Sequence, residues 1–180
     1  VQVHGKIGFT FANALRHFLR HDPDVIMVGE IRDTETAQIS VRAALTGHLV
    51  LSTLHTNDSP GALTRLTDME VESFMVSSAV TLVIAQRLVR LLCQECRQSY
   101  APTEEETKLV RSMGYTGSKI IFHKSSGCPK CEKTGYKGRT VIYEILTIDE
   151  ELKSMVAGHK SASALRRAAV RKGFRPLAIC

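Results

Sequence analysis

Hydrophobic residues in the first half of the chain alternate between helical stripes and short, wholly apolar runs. The runs Val25–Val28 and 48–54 are continuous rather than alternating, which is typical of strands buried on both faces of a parallel sheet. Apolar positions with helical spacing surround these runs and predict helices over 10–20, from near Thr34 to just before Gly47, over 62–69 and over 73–90. Helices that alternate with buried strands predict an α/β fold with a parallel sheet.

The pattern changes at Cys93, where the segments become short and rich in glycine and lysine. Strands are predicted over 119–123 and 139–147, and helices over 149–157 and 161–172. We therefore divide the chain into an α/β part over 1–92, a cysteine-rich module over 93–146 and a small helical part over 147–180. Two buried strands are fewer than a doubly wound sheet usually has, so we expect further strands upstream of Val1.

Composition excludes several classes of protein. The 180 residues are 43% apolar and 23% charged, which is ordinary for a globular chain and excludes a disordered one. The sequence has no apolar stretch long enough for a membrane-spanning helix, and its first residues lack the layout of a secretion signal.

The net charge is −1 over 1–92 and +7 over 93–180. This basic half is compatible with a nucleic acid or an anionic membrane partner, but the simpler interpretation, a solvated basic face or one that meets an acidic partner, is favoured.

The clearest chemical motif is a pair of C-x2-C turns, Cys93/Cys96 and Cys128/Cys131. Two such turns can supply four thiolates to a tetrahedral zinc ion with no open position, which predicts a structural site. Redox dithiols, disulfides and an iron–sulfur cluster are the alternatives, and zinc is favoured because the two turns match. Cys180 is left over, and its position at the end of the sequence assigns it no role.

Polar residues follow both apolar runs. Glu30 comes just after the first run, and Thr53 and His55 lie at the end of the second, where open α/β sheets bind ligands. A carboxylate there can hold magnesium through water or orient the water that attacks a phosphate. The simpler alternative is that Glu30 pairs with Arg32 or caps the next helix. His48, at the start of the second run, is a weaker candidate.

Three arginines lie on predicted helices: Arg16 and Arg20 in one helix turn, and Arg65 further along. Such residues usually form a solvated face. They can also reach phosphates across a subunit interface, as arginine fingers do.

Taken together, these segments resemble the motor ATPases of type II secretion systems and type IV pili. The resemblance lies in the segments 15–33, 43–58 and 85–90, the four cysteines, and the Gly-Tyr-Lys-Gly-Arg-Thr sequence at 135–140. It extends from residue 3 to about residue 177.

The resemblance implies a partial RecA-like P-loop NTPase core in a hexameric ring that uses ATP and Mg²⁺. Residues 25–30 match the family's Walker B strand, with Glu30 positioning magnesium and water, and residues 46–58 match its His box. His48 and His55 are then candidates for contact with the γ-phosphate or a subunit interface. The family also has arginines near the nucleotide or at subunit contacts, and the matching residues here are Arg16, Arg20, Arg32, Arg65 and Arg139.

The resemblance also implies the partners and the cellular location of the protein. The expected partners are identical subunits and the inner-membrane platform and cytoplasmic anchor proteins of the machine, so the location would be cytoplasmic at the bacterial inner membrane. The zinc module is typical of the secretion and pilus-extension branch and is absent from retraction motors. No nucleic acid partner is expected.

One departure from the family is large: the phosphate loop G-x-x-x-x-G-K-[ST] occurs nowhere in the 180 residues. We expect it upstream of Val1 and expect this chain alone to be inactive, because that loop supplies most phosphate contacts. Two rival functions stay open. One is a zinc-ribbon module that binds nucleic acid through helix 161–172, and the other is a RecA-like motor that translocates DNA.

Overall fold

The computed structural model describes residues 10–179, and the side chain of Ile179 is not described. In chain order the elements are α1 Phe11–Phe18, a 3-10 turn Leu19–His21, β1 Val25–Val28, α2 Thr34–Leu45, β2 Leu49–Ser52, α3 Ser59–Asp68, α4 Ser73–Ala79, β3 Leu82–Leu92, β4 Arg97–Tyr100, α5 Glu104–Ser112, β5 Phe122–Ser125, a 3-10 turn Pro129–Cys131, β6 Tyr136–Thr147, α6 Glu150–Ala157, α7 Ala162–Arg171 and a 3-10 turn Leu177–Ile179. Across residues 10–179, no helix combines the length and apolar character that crossing a membrane requires. Cys180 lies outside the described residues.

The chain forms two compact units, each built from two segments. Within the described residues, the first unit holds 10–83 and 145–172, and the second holds 84–144 and 173–179. Strands β3 and β6 pair with each other, and each passes from one unit into the other. The functional division at 92 and 146 stays a prediction.

Strands β1 and β2 of the first unit pair in parallel, from Val25 opposite Leu49 to Val28 opposite Ser52. The predicted α/β fold with parallel pairing is confirmed. The predicted burial of both strand faces is wrong for the described residues, since Met27 is 79% exposed whereas Val28 is 4% exposed. Successive side chains of a strand point to opposite faces, so one face of this pair contributes to the core and the other is exposed.

The predicted helix over 73–90 is also wrong, because α4 ends at Ala79 and β3 runs from Leu82 to Leu92. The run Val80–Ile84 is rich in β-branched residues, and periodicity alone does not separate a buried helix from a strand in such a run. Helix α5 was not predicted. Thr103 and Glu106 form a capping box at its start, and the Thr-x-x-Glu pattern at 103–106 is the sequence signal for it.

The core of the first unit lies among its helices. Leu63 of α3, Val76 of α4, Leu152 of α6 and Leu165 of α7 are all at most 2% exposed. Capping aspartates start two of these helices: Asp58 precedes α3 and Asp149 precedes α6, and each side chain accepts a backbone N–H of the first turn. The two C-terminal helices therefore complete the core that supports the β1–β2 pair.

Lys172 ties the start of α6 to the end of α7 through two carboxylates. Its Nζ lies 2.5 Å from Asp149 Oδ2 and 2.7 Å from Glu151 Oε2. The hydrogen bond from Lys172 is the main reason that the pKa of each carboxyl falls below its ordinary value. Asp149 and Glu151 in turn raise the pKa of Lys172.

We expect this cluster to stabilise the chain at neutral pH and to fail in acid. A carboxyl with a lowered folded-state pKa contributes stability above its unfolded pKa of about 4, and the contribution is lost as pH falls through the folded-state pKa. Lys172→Met should therefore lower Tm by about 1–3 °C at pH 7 and by much less near pH 2. Thermal melts of both proteins across this range measure the difference, with the exposed Lys160→Met as control. An equal loss at both pH values would contradict the prediction.

Candidate functional site

The carboxyl ends of β1 and β2 lie at one edge of the sheet because the strands are parallel. Two hydrogen bonds join the segments that follow them. Ile31 N donates to Thr53 O at 3.0 Å, and Thr53 Oγ1 donates to Gly29 O at 2.8 Å. Thr53 therefore holds the backbone on both sides of Glu30 in a fixed position relative to the end of β2.

Glu30 meets two of the predicted site residues at this edge. Its Oε2 lies 2.6 Å from Arg32 Nε and 3.1 Å from His55 Nε2. The hydrogen bonds from Arg32 and then from His55 lower the pKa of the Glu30 carboxyl below its ordinary value, despite partial desolvation. The result is a carboxylate that stays ionised at neutral pH, with the exposed Arg32 and His55 beside it.

His48 lies at the opposite end of β2, away from this cluster. Its Nδ1 is 2.9 Å from Ala43 O and 3.1 Å from Thr46 Oγ1. Because a carbonyl oxygen only accepts, Nδ1 donates to it, and the ring caps the last turn of α2. These contacts account for His48 as a local structural residue, and a nucleotide or interface role for it stays a prediction.

The remaining predicted arginines do not join Glu30 in the described structure. Arg16 donates to Glu35 Oε1 at 2.6 Å and to Asn13 Oδ1 at 3.0 Å. The others are exposed and stand on the 3-10 turn after α1, on α3 and on β6 of the second unit: Arg20, Arg65 and Arg139. Exposed arginines are compatible with contacts to other subunits, but that role stays a prediction.

One contact near the site had no signal in the sequence. Asp58 Oδ1 accepts Gly61 N at 2.7 Å as the N-cap of α3, and Oδ2 accepts Arg166 of α7. The role of Asp58 as N-cap can be predicted from the sequence, because Asp58 precedes Ser59 and a proline in the first helical turn. Its ion pair with Arg166 cannot be predicted in this way, since 108 residues separate the two side chains.

The second unit brings the four cysteines of the two C-x2-C turns together. All four Sγ atoms lie within 4.8 Å of one another. The sulfur pairs Cys93–Cys128 and Cys96–Cys131 are 3.9 Å apart, and Cys128–Cys131 are 3.7 Å apart. A tetrahedron with Zn–S bonds of about 2.3 Å has S–S edges of about 3.8 Å. The four cysteines are unbonded to one another, and their sulfur separations fit a zinc ion.

Backbone groups support the thiolate that such an ion needs. Burial raises the pKa of the Cys128 thiol to about 11. Burial also acts to raise that of Cys131, but backbone N–H groups outweigh it and lower the pKa to about 6. Those donors are Cys128 N and Gly135 N, each 3.2 Å from Cys131 Sγ. Gly135 has a positive φ of 77°, and a Cβ there would lie 2.3 Å from Ser125 Cβ, so only glycine fits.

Comparisons with known proteins extend these observations. The family model described as "Type II/IV secretion system protein" matches residues 1–178. The chain is 49% identical to the type II secretion system ATPase E of Vibrio cholerae, over 92% of this chain and 33% of that protein. It is also 49% identical to the type IV pilus assembly ATPase PilB of Thermus thermophilus, over 98% of this chain and 20% of that protein. The chain thus spans a third or less of these relatives.

Solved structures show the same fold. The Legionella pneumophila ATPase DotB is 25% identical, with a TM-score of 0.58 over 93% of this chain and 36% of that one. The pilus retraction motor PilT with bound ADP is also 25% identical, with a TM-score of 0.55 over 92% of this chain and 40% of that one. Both are RecA-like ATPases, which confirms the predicted partial RecA-like core, and the cysteine cluster accompanies it here. From its family match, its relatives and this fold, the chain belongs to the type II/IV secretion system protein family.

Proposed function

We propose that this chain is part of a longer ATPase that powers type II protein secretion or type IV pilus assembly. The observation that carries this proposal is the ionised Glu30 carboxylate, held by Arg32 and His55 at the carboxyl end of two parallel strands. The relatives that share about half of the sequence are named as secretion and pilus assembly ATPases. The whole motor would work as a cytoplasmic hexamer at the inner membrane, beside platform and anchor proteins of the machine.

Within this proposal, Glu30 positions magnesium-bound and attacking water rather than taking a proton. A general base works best with a pKa near the working pH, whereas Arg32 and His55 hold that of Glu30 below the ordinary range. His55 is exposed next to this carboxylate and can donate toward a terminal phosphate. Thr53 fixes the backbone between them. A bound Mg²⁺ would neutralise phosphate charge, the chemistry that carboxylates at such strand ends support.

In this proposal the arginines contact nucleotide or neighbouring subunits of the hexameric ring. Arg16, Arg20, Arg65 and Arg139 are exposed, and so are available to nucleotide or to neighbouring subunits. Guanidinium groups suit both partners because they bind phosphate and carboxylate oxygens bidentately. His48 is the weakest member of the set, since α2 already accounts for its hydrogen bonds.

The four cysteines are proposed to hold a structural Zn²⁺. Three of the six sulfur separations are 3.7–3.9 Å, in agreement with a tetrahedral site, and four thiolates leave no position open for substrate. Within the family that the sequence resembles, this module marks assembly motors rather than retraction motors, which favours secretion or pilus extension as the task.

The first test is ATP hydrolysis by the parent protein and by residues 1–180 alone. We expect the parent to release phosphate from ATP and the 180-residue chain to release none, because the chain contains no phosphate loop to bind the nucleotide. Phosphate release under identical magnesium and nucleotide concentrations measures both. Magnesium-dependent turnover by the isolated chain would contradict the prediction of inactivity, and an inactive parent would contradict the proposed function.

The rival functions predict binding to nucleic acid. The charge of +7 over residues 93–180 is the observation that favours them. A mobility shift with single- and double-stranded DNA at low salt distinguishes the proposals, since phosphate contacts are strongest there. The secretion motor predicts no shift, whereas a salt-dependent shift would support a nucleic acid module or a DNA translocase.

A further inference from the structure

The starting point is the loop that carries His55 and its two anchors in the first unit. At one end, Thr53 Oγ1 donates to Gly29 O at 2.8 Å. At the other end, Asp58 caps α3 and accepts Arg166 of α7. Between the anchors, the His55 side chain is 77% exposed, so few packing contacts fix the ring. Its distance from Glu30 therefore depends on how the two ends of the loop are held.

Arg166 is well placed to act as the second anchor. It stands beside Leu165, which is 1% exposed and packs α7 into the core. The Asp58 side chain is only 25% exposed, and one of its oxygens is already taken by Gly61 N. The ion pair thus differs from a freely moving surface pair, which contributes little because both side chains must be ordered to form it.

The loop itself relays the position of Asp58 toward His55. Thr56 Oγ1 donates to Asp58 O at 3.2 Å, which closes the short segment between the histidine and the aspartate. A displacement of Asp58 would therefore move Thr56 and, one residue earlier, His55. Small displacements of this size matter because misplacing a catalytic group by about 1 Å can cost up to about a hundredfold in rate.

We propose that Arg166 is a positioning residue for the active site, holding the His55 loop through Asp58 so that His55 stays on the Glu30 carboxylate. The inference rests on the proposed ATPase function. It assigns α7, which is remote in sequence from both residues, a part in catalysis beyond packing. Arg166 binds Asp58 rather than Glu30, so its effect on the site passes through the loop.

The kinetic test uses the full-length protein and Arg166→Ala. We expect kcat for ATP hydrolysis to fall about tenfold while KM for ATP changes less than about twofold, since the loss concerns geometry rather than nucleotide binding. Arg167→Ala on the exposed side of α7 is the matched control and should keep the original kcat. Arg166→Lys should restore part of the rate, because lysine keeps the charge without the planar fork.

Asp58→Asn tests the route of the effect. Asparagine still caps α3 but loses the charge that Arg166 binds. If Arg166 acts through Asp58, the Asp58→Asn and Arg166→Ala double variant should be no slower than the slower single variant. Multiplied losses, or a kcat of Arg166→Ala equal to that of Arg167→Ala, would overturn the proposal.

Amide hydrogen exchange separates this inference from the proposed function. The amides of residues 54–58 should exchange at least about fivefold faster in Arg166→Ala than in Arg167→Ala, while those of β1 stay unchanged. If the parent protein hydrolyses no ATP but this local loosening is seen, the ATPase proposal fails and the anchoring role survives. Unchanged exchange in residues 54–58 would overturn the anchoring role whatever the activity. Exchange that rises equally throughout the first unit would also overturn it, because the arginine would then serve stability alone.

Discussion

Replacing Glu30 with glutamine in the full-length protein is expected to lower kcat for ATP hydrolysis by about 10²- to 10³-fold. Glutamine keeps the size of the side chain but removes the charge that, in the proposed function, orders water and magnesium around the phosphates. The expected loss matches that of other groups that stabilise transition-state charge. KM for ATP should change far less, because most phosphate contacts come from elsewhere in the enzyme. Steady-state phosphate release over a range of ATP concentrations separates the two constants.

Glu72→Gln is the matched control for this prediction. Glu72 is an exposed glutamate of the same unit that makes no side-chain cap on α4, and its neutralisation should leave kcat unchanged. Thermal melts of all three proteins show whether the fold survives. Wild-type kcat in Glu30→Gln would mean that the carboxylate only pairs with Arg32, the simpler interpretation of its position after β1.

The contact between Glu30 and His55 has a physical reason that can be traced to the sequence. Two apolar runs separated by a helix are expected to pair in parallel, and parallel strands end at the same edge of a sheet. Glu30 and His55 each follow such a run, so their meeting could be anticipated although 25 residues separate them. The four cysteines could also be expected to lie together, because each C-x2-C turn supplies two of the four ligands that a tetrahedral metal site needs.

Other features depend on contacts that no local pattern encodes. The Asp58–Arg166 pair joins the start of α3 to α7, and the sequence around neither residue indicates that the two side chains meet. The strand β3 was mistaken for a helix because its alternation of apolar and polar residues is imperfect and its β-branched start resembles a buried helix. The exposure of Met27 depends on what packs against the outer face of β1, which a hydrophobic run alone does not specify.

Replacing Cys131 with serine is expected to abolish the metal content of the chain. The protein purified with its thiols reduced should carry about one zinc ion per chain, and the variant should carry almost none at micromolar concentration, since one of four ligands is lost. Cys131 is an informative position, because it is buried and its Sγ accepts two backbone N–H groups, those of Cys128 and Gly135, each at 3.2 Å. Elemental analysis of the dialysed proteins measures the ratio of zinc to chain.

Loss of the ion should also unfold its surroundings, because in small metal sites the binding free energy, about 10–16 kcal/mol in zinc-finger peptides, is coupled to folding. Amide exchange of β4 and β5, which pair next to the cysteines, should rise by orders of magnitude in Cys131→Ser, while that of α2 in the other unit stays slow. Cys180→Ser is the matched control and should keep the full metal content, since the four cysteines of the cluster already complete a tetrahedral site. A metal-free wild-type chain with protected β4 and β5 amides would instead mean that the thiols and their backbone hydrogen bonds hold the module without an ion.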